Sequence, residues 1–174
     1  PYYTAFRILD YCGLRIGELE ALTVGDIDTD AGTLTVNKTY HLINGEGITT
    51  TPKTEKANRT ITLPPFLLGC LNRHIARLYA SNHSTRLFMA SHSTYARQME
   101  MHTKKAGVRR IRLHDLRHSH ASLLIELGFS ALRISERRGH ENVSTTLNIY
   151  SHLFPSKQSE VAKRLEKLCK KDQY

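Results

Sequence analysis

Between residues 33 and 63 the apolar pattern of this chain changes period, and that change limits the folds open to it. Thr33-Leu34-Thr35-Val36, Thr39 to Ile43 and Arg59-Thr60-Ile61-Thr62-Leu63 alternate as strands do, with Asn44-Gly45-Glu46-Gly47 as a turn. The segments on either side read as helix. The expectation is an α+β domain, mainly helical, carrying a small antiparallel sheet of about three strands. Thr51 to Lys56, between the last strands, is a polar loop with two lysines, Lys53 and Lys56. On its own it reads as a solvated hairpin tip.

Ahead of the strands, Tyr3 to Tyr11 reads as a helix stopped by Gly13, and Gly17 to Leu22 as a second, short one. Arg15 falls in their connection. Glu18, three residues on, is either its salt-bridge partner or an acid favoured by the helix dipole. Behind the strands, Pro64-Pro65 starts a helix to about Tyr79, with Leu67, Leu68, Leu71, Ile75 and Leu78 as its buried stripe. A further helix is expected over Thr94 to Ala106. Leu113 to Gly128 is the clearest helix, with Leu113, Leu116, Leu123, Leu124 and Leu127 as its core side and His114 beside Arg117 on its first turn. Residues 131–138 and roughly 144–150 follow, with Ser144 a candidate N-cap. The tail from Gln158 is a basic amphipathic helix with Val161, Leu165 and Leu168 at helical spacing. No internal boundary interrupts residues 1–174, and the pattern predicts one domain. Because Pro1 opens inside a helix, upstream domains are expected to be missing.

The charge narrows the partner. A net charge of +9 points to a polyanion, nucleic acid first and an acidic membrane second. No apolar run approaches the ~20 residues that cross a bilayer. Three isolated cysteines, Cys12, Cys70 and Cys169, fit reduced thiols in the cytosol. Lys104, Lys105, Arg109, Arg110, Arg112 and Arg117 crowd one stretch with Asp115 as its only acid, a phosphate-binding pattern. Lys56 and Arg59 join the candidates for DNA contact.

One constellation suggests chemistry. Arginines Arg15 and Arg117 with a histidine, His114 or His140, suit a phosphodiester, whose attack at phosphorus adds negative charge. Tyr150 is the candidate nucleophile, and Lys53 or His114 can move protons. Acids to hold Mg²⁺ are not grouped, which speaks against a two-metal nuclease. A metal site of His114, His118 and His120 is the rival, but His118 and His120 point to different sides of a helix. Neither metal nor cofactor is expected. His83, His92 and His102 read as surface residues.

Four segments in order carry a resemblance. Tyr11-Cys12-Gly13-Leu14-Arg15-Ile16-Gly17-Glu18-Leu19, Pro52-Lys53-Thr54 through Arg59 to Pro64, Leu113-His114-Asp115-Leu116-Arg117-His118, and Gly139-His140 through Tyr150-Ser151-His152 resemble the boxes of the tyrosine recombinases. The flavour is that of integrases from phages and conjugative transposons of Gram-positive bacteria. The resemblance implies the catalytic-domain fold and site-specific cutting and rejoining of double-stranded DNA, by a tetramer on DNA in the full-length enzyme, in the bacterial cytoplasm. It implies that Arg15, Arg117 and His140 bind the scissile phosphate and that Tyr150 attacks it to leave a 3′-phosphotyrosyl link. Lys53 then serves as general acid to the 5′-oxygen, and His114 helps take the tyrosine proton. Type IB topoisomerases share the tyrosine chemistry but tend to carry lysine at His114; a non-catalytic DNA-binding module explains only the charge. The chain departs from the family's pattern at Arg138, where leucine is usual, and in the ten-residue step from His140 to Tyr150.

Overall fold

The chain enters through α1 (Tyr2–Cys12) and α2 (Ile16–Ala21), and passes to β1 (Ile27–Asp28), β2 (Thr33–Val36), β3 (Thr39–Ile43), β4 (Glu46–Thr50) and β5 (Arg59–Thr62). It then runs through α3 (Pro65–Ile75), α4 (His92–Lys105), α5 (Leu113–Glu126), α6 (Ala131–Arg138) and α7 (Val143–Tyr150). This computed structural model describes residues 2–52, 54–154, 162–163 and 165–166. Lys53 lies outside the described residues, as does Cys169 and, apart from residues 162, 163, 165 and 166, the helix expected over 158–174.

The α+β expectation holds, but the strands sort differently. The three-stranded antiparallel sheet has the order β1-β2-β5, with Leu34 opposite Ile61 and Val36 opposite Arg59. β3 leaves that sheet and pairs with β4 as a separate hairpin. Two local causes separate them. Lys38 is tied to buried Asp26 at 2.6 Å and draws the chain off the sheet edge. Asn44 (φ 52) and Gly45 (φ 84) then take the two left-handed positions that a tight hairpin turn demands. The two-residue strand β1 is too short to show alternation in the sequence.

Helix ends follow their caps. Ser91 starts α4 by accepting from the Thr94 amide at 3.3 Å, and Ser130 does the same for α6. α7 is capped by Asn142, which accepts from the Ser144 amide at 3.0 Å, and not by Ser144. α3 stops at Ile75, short of Tyr79. Arg77 and Leu78 bond three residues back instead of four, so the chain tightens into turns there.

The main core lies between α1, α2, the three-stranded sheet and α3, with Ile8, Leu9, Leu34, Ile61, Leu67 and Leu71 among its members. A smaller cluster joins Ala121 and Ile125 of α5, Ile134 of α6 and Tyr150 of α7. The leucine stripe expected on α5 is therefore corrected. Leu123 and Leu127 are exposed, at 40% and 63%, while Leu113, Arg117, His120, Ala121 and Ile125 are buried. Among the described residues no helix is long and apolar enough to cross a membrane.

Candidate active site

The site begins where α1 stops and α2 starts. Arg15 is extended (φ −73, ψ 151) and caps α2. Its amide donates to Glu18 Oε2 at 2.9 Å and its Nη1 to Glu18 Oε1 at 2.7 Å, so Glu18 is both partner and cap. Arg59 reaches the same carboxylate from β5, with Nη2 at 2.8 Å and Nη1 at 3.2 Å. Burial alone pushes Glu18 upward, but bonds and charge from Arg59, then Arg15, outweigh it and hold the acid at about 2. Arg59, expected to face DNA, is instead a buried strut. It also donates to the carbonyls of Arg137 and Ala57, and its side chain is 6% exposed.

Arg117 is 1% exposed and stands at the centre. Its Nη1 donates to the Gly13 carbonyl and its Nη2 to the Arg138 carbonyl at 2.6 Å. Each terminal nitrogen keeps a second N–H for an incoming acceptor. Burial first, then the charges of Arg15 and Arg138, pushes Arg117 down from its ordinary value. The arginines here outnumber the carboxylates that face them, and such a site attracts an anion.

His140 follows the left-handed cap of α6, Gly139 (φ 64). A side-chain carbon there meets Arg59 Nη1 at 2.9 Å and the Lys56 carbonyl at 3.1 Å, so only glycine fits. His140 Nδ1 bonds buried Thr146 Oγ1 at 3.0 Å. Burial, then Arg138, Arg117, Arg15 and Arg59, holds the imidazole at about 4. It is neutral at pH 7 and suits a hydrogen-bond donor to phosphate. Arg15 and His140 share a cleft of about 430 Å³ with Thr39, Thr51, Pro52 and Thr54. The residues flanking Lys53 thus line the cleft that holds Arg15 and His140.

Tyr150, at the end of α7, is 3% exposed. Its hydroxyl meets His118 Nδ1 at 2.5 Å and Arg138 Nη1 at 2.9 Å. His114, expected beside this oxygen, lies one step back with its ring edge-on to His118, centroids 4.9 Å apart. The sequence offers His118 only as a metal candidate, although four-residue spacing from His114 puts both on one helix face. Burial, then Arg138, lowers His118; burial, then His118, lowers His114. His120 looks the other way: its Nε2 accepts from Arg137 Nε at 3.3 Å, and burial, then Arg137, pushes it down to about 3. His114, His118 and His120 do not converge.

The basic strip runs from the end of α4 into α5. Lys104, Lys105, Arg109, Arg110 and Arg112 are all exposed. Arg110 pairs with Glu100 at 3.2 Å and Arg112 with Asp115 at 3.0 Å, both at the surface. Arg110, Arg112 and His114 line one hollow of about 390 Å³, which links the strip to the start of α5. Exposed Lys56 donates to the Glu141 carbonyl at 2.9 Å, beside His140.

Arg15 ahead of α2, Arg117 and His118 near the start of α5, His140 after α6 and Tyr150 at the end of α7 come from the segments that carry the family resemblance. The phage integrase family matches residues 1–157, and the chain belongs to it. The ICEBs1 integrase of Bacillus subtilis (strain 168) is 34% identical over 96% of this chain and 49% of its own length. The integrase of Staphylococcus phage L54a is 29% identical over 94% of this chain and 51% of its own. The chain spans about half the length of these curated relatives. The solved structure of the Tn1549 transposon integrase in complex with circular intermediate DNA has the same fold, with a TM-score of 0.81 at 22% identity over 96% of this chain and 59% of that one.

Proposed function

We propose that the protein is a site-specific DNA recombinase that integrates and excises a mobile element or prophage by cutting and rejoining double-stranded DNA. The observation that carries this reading is the Tyr150 hydroxyl, held by His118 and Arg138 beside the buried arginine Arg117. Arg15, Arg117 and His140 bind the scissile phosphate and the charge that builds on it. The Tyr150 oxygen attacks phosphorus, its proton passing to the histidine pair of α5, with His118 in contact and His114 behind. The bond from phosphorus to the 5′-oxygen breaks, and Lys53 returns a proton to that oxygen. The 3′-phosphotyrosyl ester keeps the bond energy, so a 5′-hydroxyl can reverse the step without ATP. Lys56 and the strip of Lys104, Lys105, Arg109, Arg110 and Arg112 hold the duplex backbone. In the cell the working unit is a tetramer on DNA in the bacterial cytoplasm.

A nicked duplex carrying the element's attachment core tests this. Incubation with EDTA present is expected to trap a covalent protein–DNA adduct. Tyr150→Phe is expected to form none; an undiminished adduct from that variant rules the reading out.

A further inference from the structure

Arg138 breaks a rule of burial. It is 2% exposed, and among the described residues no carboxylate pairs with it. Its Nε makes no hydrogen bond. A guanidinium taken out of water ordinarily has an anion beside it to offset the lost hydration. Among the described residues, the one side-chain oxygen it hydrogen-bonds is that of Tyr150, from Nη1 at 2.9 Å, with the guanidinium carbon 5.2 Å from the ring centre. Its own carbonyl is gripped by Arg117 at 2.6 Å, so residue 138 ties the central arginine to the tyrosine.

The directions of the bonds follow from chemistry. Arginine only donates, so the Tyr150 oxygen accepts from Arg138. The hydroxyl proton is then free to point along the other contact, to His118 Nδ1 at 2.5 Å. That needs a neutral His118 with its proton on Nε2. The surroundings favour the neutral ring: burial first, then Arg138 from α6, Arg112 just ahead of α5 and Arg117 within it disfavour a charge there, with His114 alongside and Tyr150 facing from α7, and Asp115 opposes them.

We infer that Arg138 is a further catalytic residue of the cleavage step, one that stabilises the Tyr150 oxyanion as its proton moves to His118 and aims that oxygen. The inference rests on the reading of Tyr150 as nucleophile. The electron pair of the O–H bond stays on oxygen, and the proton bonds the lone pair of His118 Nδ1. The oxygen then forms its bond to phosphorus as the bond to the 5′-oxygen breaks. Arg138, never deprotonated, acts through its charge alone.

Single-turnover cleavage of the nicked attachment-core duplex, by saturating protein in EDTA, tests the assignment. Arg138→Leu is expected to keep DNA affinity and to slow cleavage roughly 100-fold near neutral pH. The deficit is expected to shrink as pH rises, because hydroxide then removes the proton without help, and Arg138→Lys is expected to recover much of the rate. A leucine variant that cleaves at the parental rate, or one slowed equally at every pH and not rescued by lysine, overturns it. Should the leucine variant misfold, Arg138→Lys and Arg138→Gln decide: lysine faster than glutamine supports the charge, and equal rates overturn it. An adduct from Tyr150→Phe sinks the nucleophile itself. No adduct from that variant together with full-rate Arg138→Leu sinks only this inference.

Discussion

The larger core, around α1, the three-stranded sheet and α3, and the smaller one, between α5, α6 and α7, are filled by different kinds of side chain. The first is apolar, with Ile8, Leu9, Leu34, Leu67 and Leu71 fully enclosed. Two of its polar members are paired, Asp26 with Lys38 and His74 with the Leu87 carbonyl. The second holds Arg117, His120, Arg138 and Thr146 alongside Ala121, Ile125, Ile134 and Tyr150. The apolar area that stabilises a fold lies in the first. In the second, buried charge is turned toward the Tyr150 hydroxyl. An apolar core and a charged one thus lie side by side, joined where α1 packs on α5.

The comparison breaks most visibly at Arg117. Arg117→Ala removes the charge at the centre of the site and strands the carbonyls of Gly13 and Arg138. Cleavage is expected to fall on the order of 1,000-fold. Each stranded carbonyl is expected to cost about 1–3 kcal/mol of stability. Single-turnover rate and urea midpoint, measured on the same preparation, read both. A variant that loses stability but cleaves normally when folded would make Arg117 a strut like Arg59.

The opposite experiment is Leu71→Ala. It opens a cavity in the apolar core, at an expected cost of about 2–5 kcal/mol. Below its unfolding midpoint, the folded fraction is expected to cleave at the parental rate. A rate loss in the folded protein would mean that the two interiors are coupled.

Acidification is expected to move the two regions in opposite directions. His120 is neutral when folded and held at about 3, against an ordinary 6.5. The unfolded chain therefore takes up the proton first, and stability from this residue is complete above 6.5 and lost as pH falls toward 3. The slope is about 1.4 kcal/mol per pH unit. Between pH 7 and pH 5 it amounts to about 2 kcal/mol, read as the difference in urea midpoint between the parent and His120→Asn. Glu20 of α2 has the other sign. Burial, offset by Arg86, raises its carboxyl to about 7, so its unfavourable charge builds as pH rises from 4.5 to 7. Glu20→Gln is expected to steepen the acid loss that His120 causes. If His120→Asn leaves the pH dependence unchanged, the imidazole is not shielded beside Arg137.

What the sequence made legible divides along the same line. Strand alternation at Leu34 and Ile61 and the leucine spacing of α3 mark the apolar core, because there burial and hydrophobicity coincide. Tyr150, Arg15 and Arg117 stand out through four segments that, taken in order, resemble one family's boxes. His118 and Arg138 were not assigned their contacts, since a polar residue buried for chemistry has no periodic signature. Arg59 misled for the reverse reason: a positive charge in a basic chain reads as surface, and only the fold brings Glu18 of α2 against β5. The second hairpin was hidden because Glu46 and Gly47 have little strand preference, and the turn at Asn44 and Gly45 alone creates the pairing.

The smallest effect tests the face of α5 itself. Leucine spacing puts Leu123 and Leu127 inward, whereas the fold turns Arg117, His120, Ala121 and Ile125 inward and leaves Leu127 63% exposed. A surface position carries little stability, so Leu127→Ser is expected to shift it by less than about 0.5 kcal/mol. Ile125→Ala, two residues away and 4% exposed, is expected to cost about 2–5 kcal/mol. Neighbours in sequence then differ several-fold, in a direction that side-chain type alone does not give. Urea midpoints of the two variants suffice. Should Leu127→Ser cost as much as Ile125→Ala, α5 is turned so that its leucines face inward. Arg117 and His118 would then rotate away from Gly13 and Tyr150, and the proposed site would lose its geometry along with the small core.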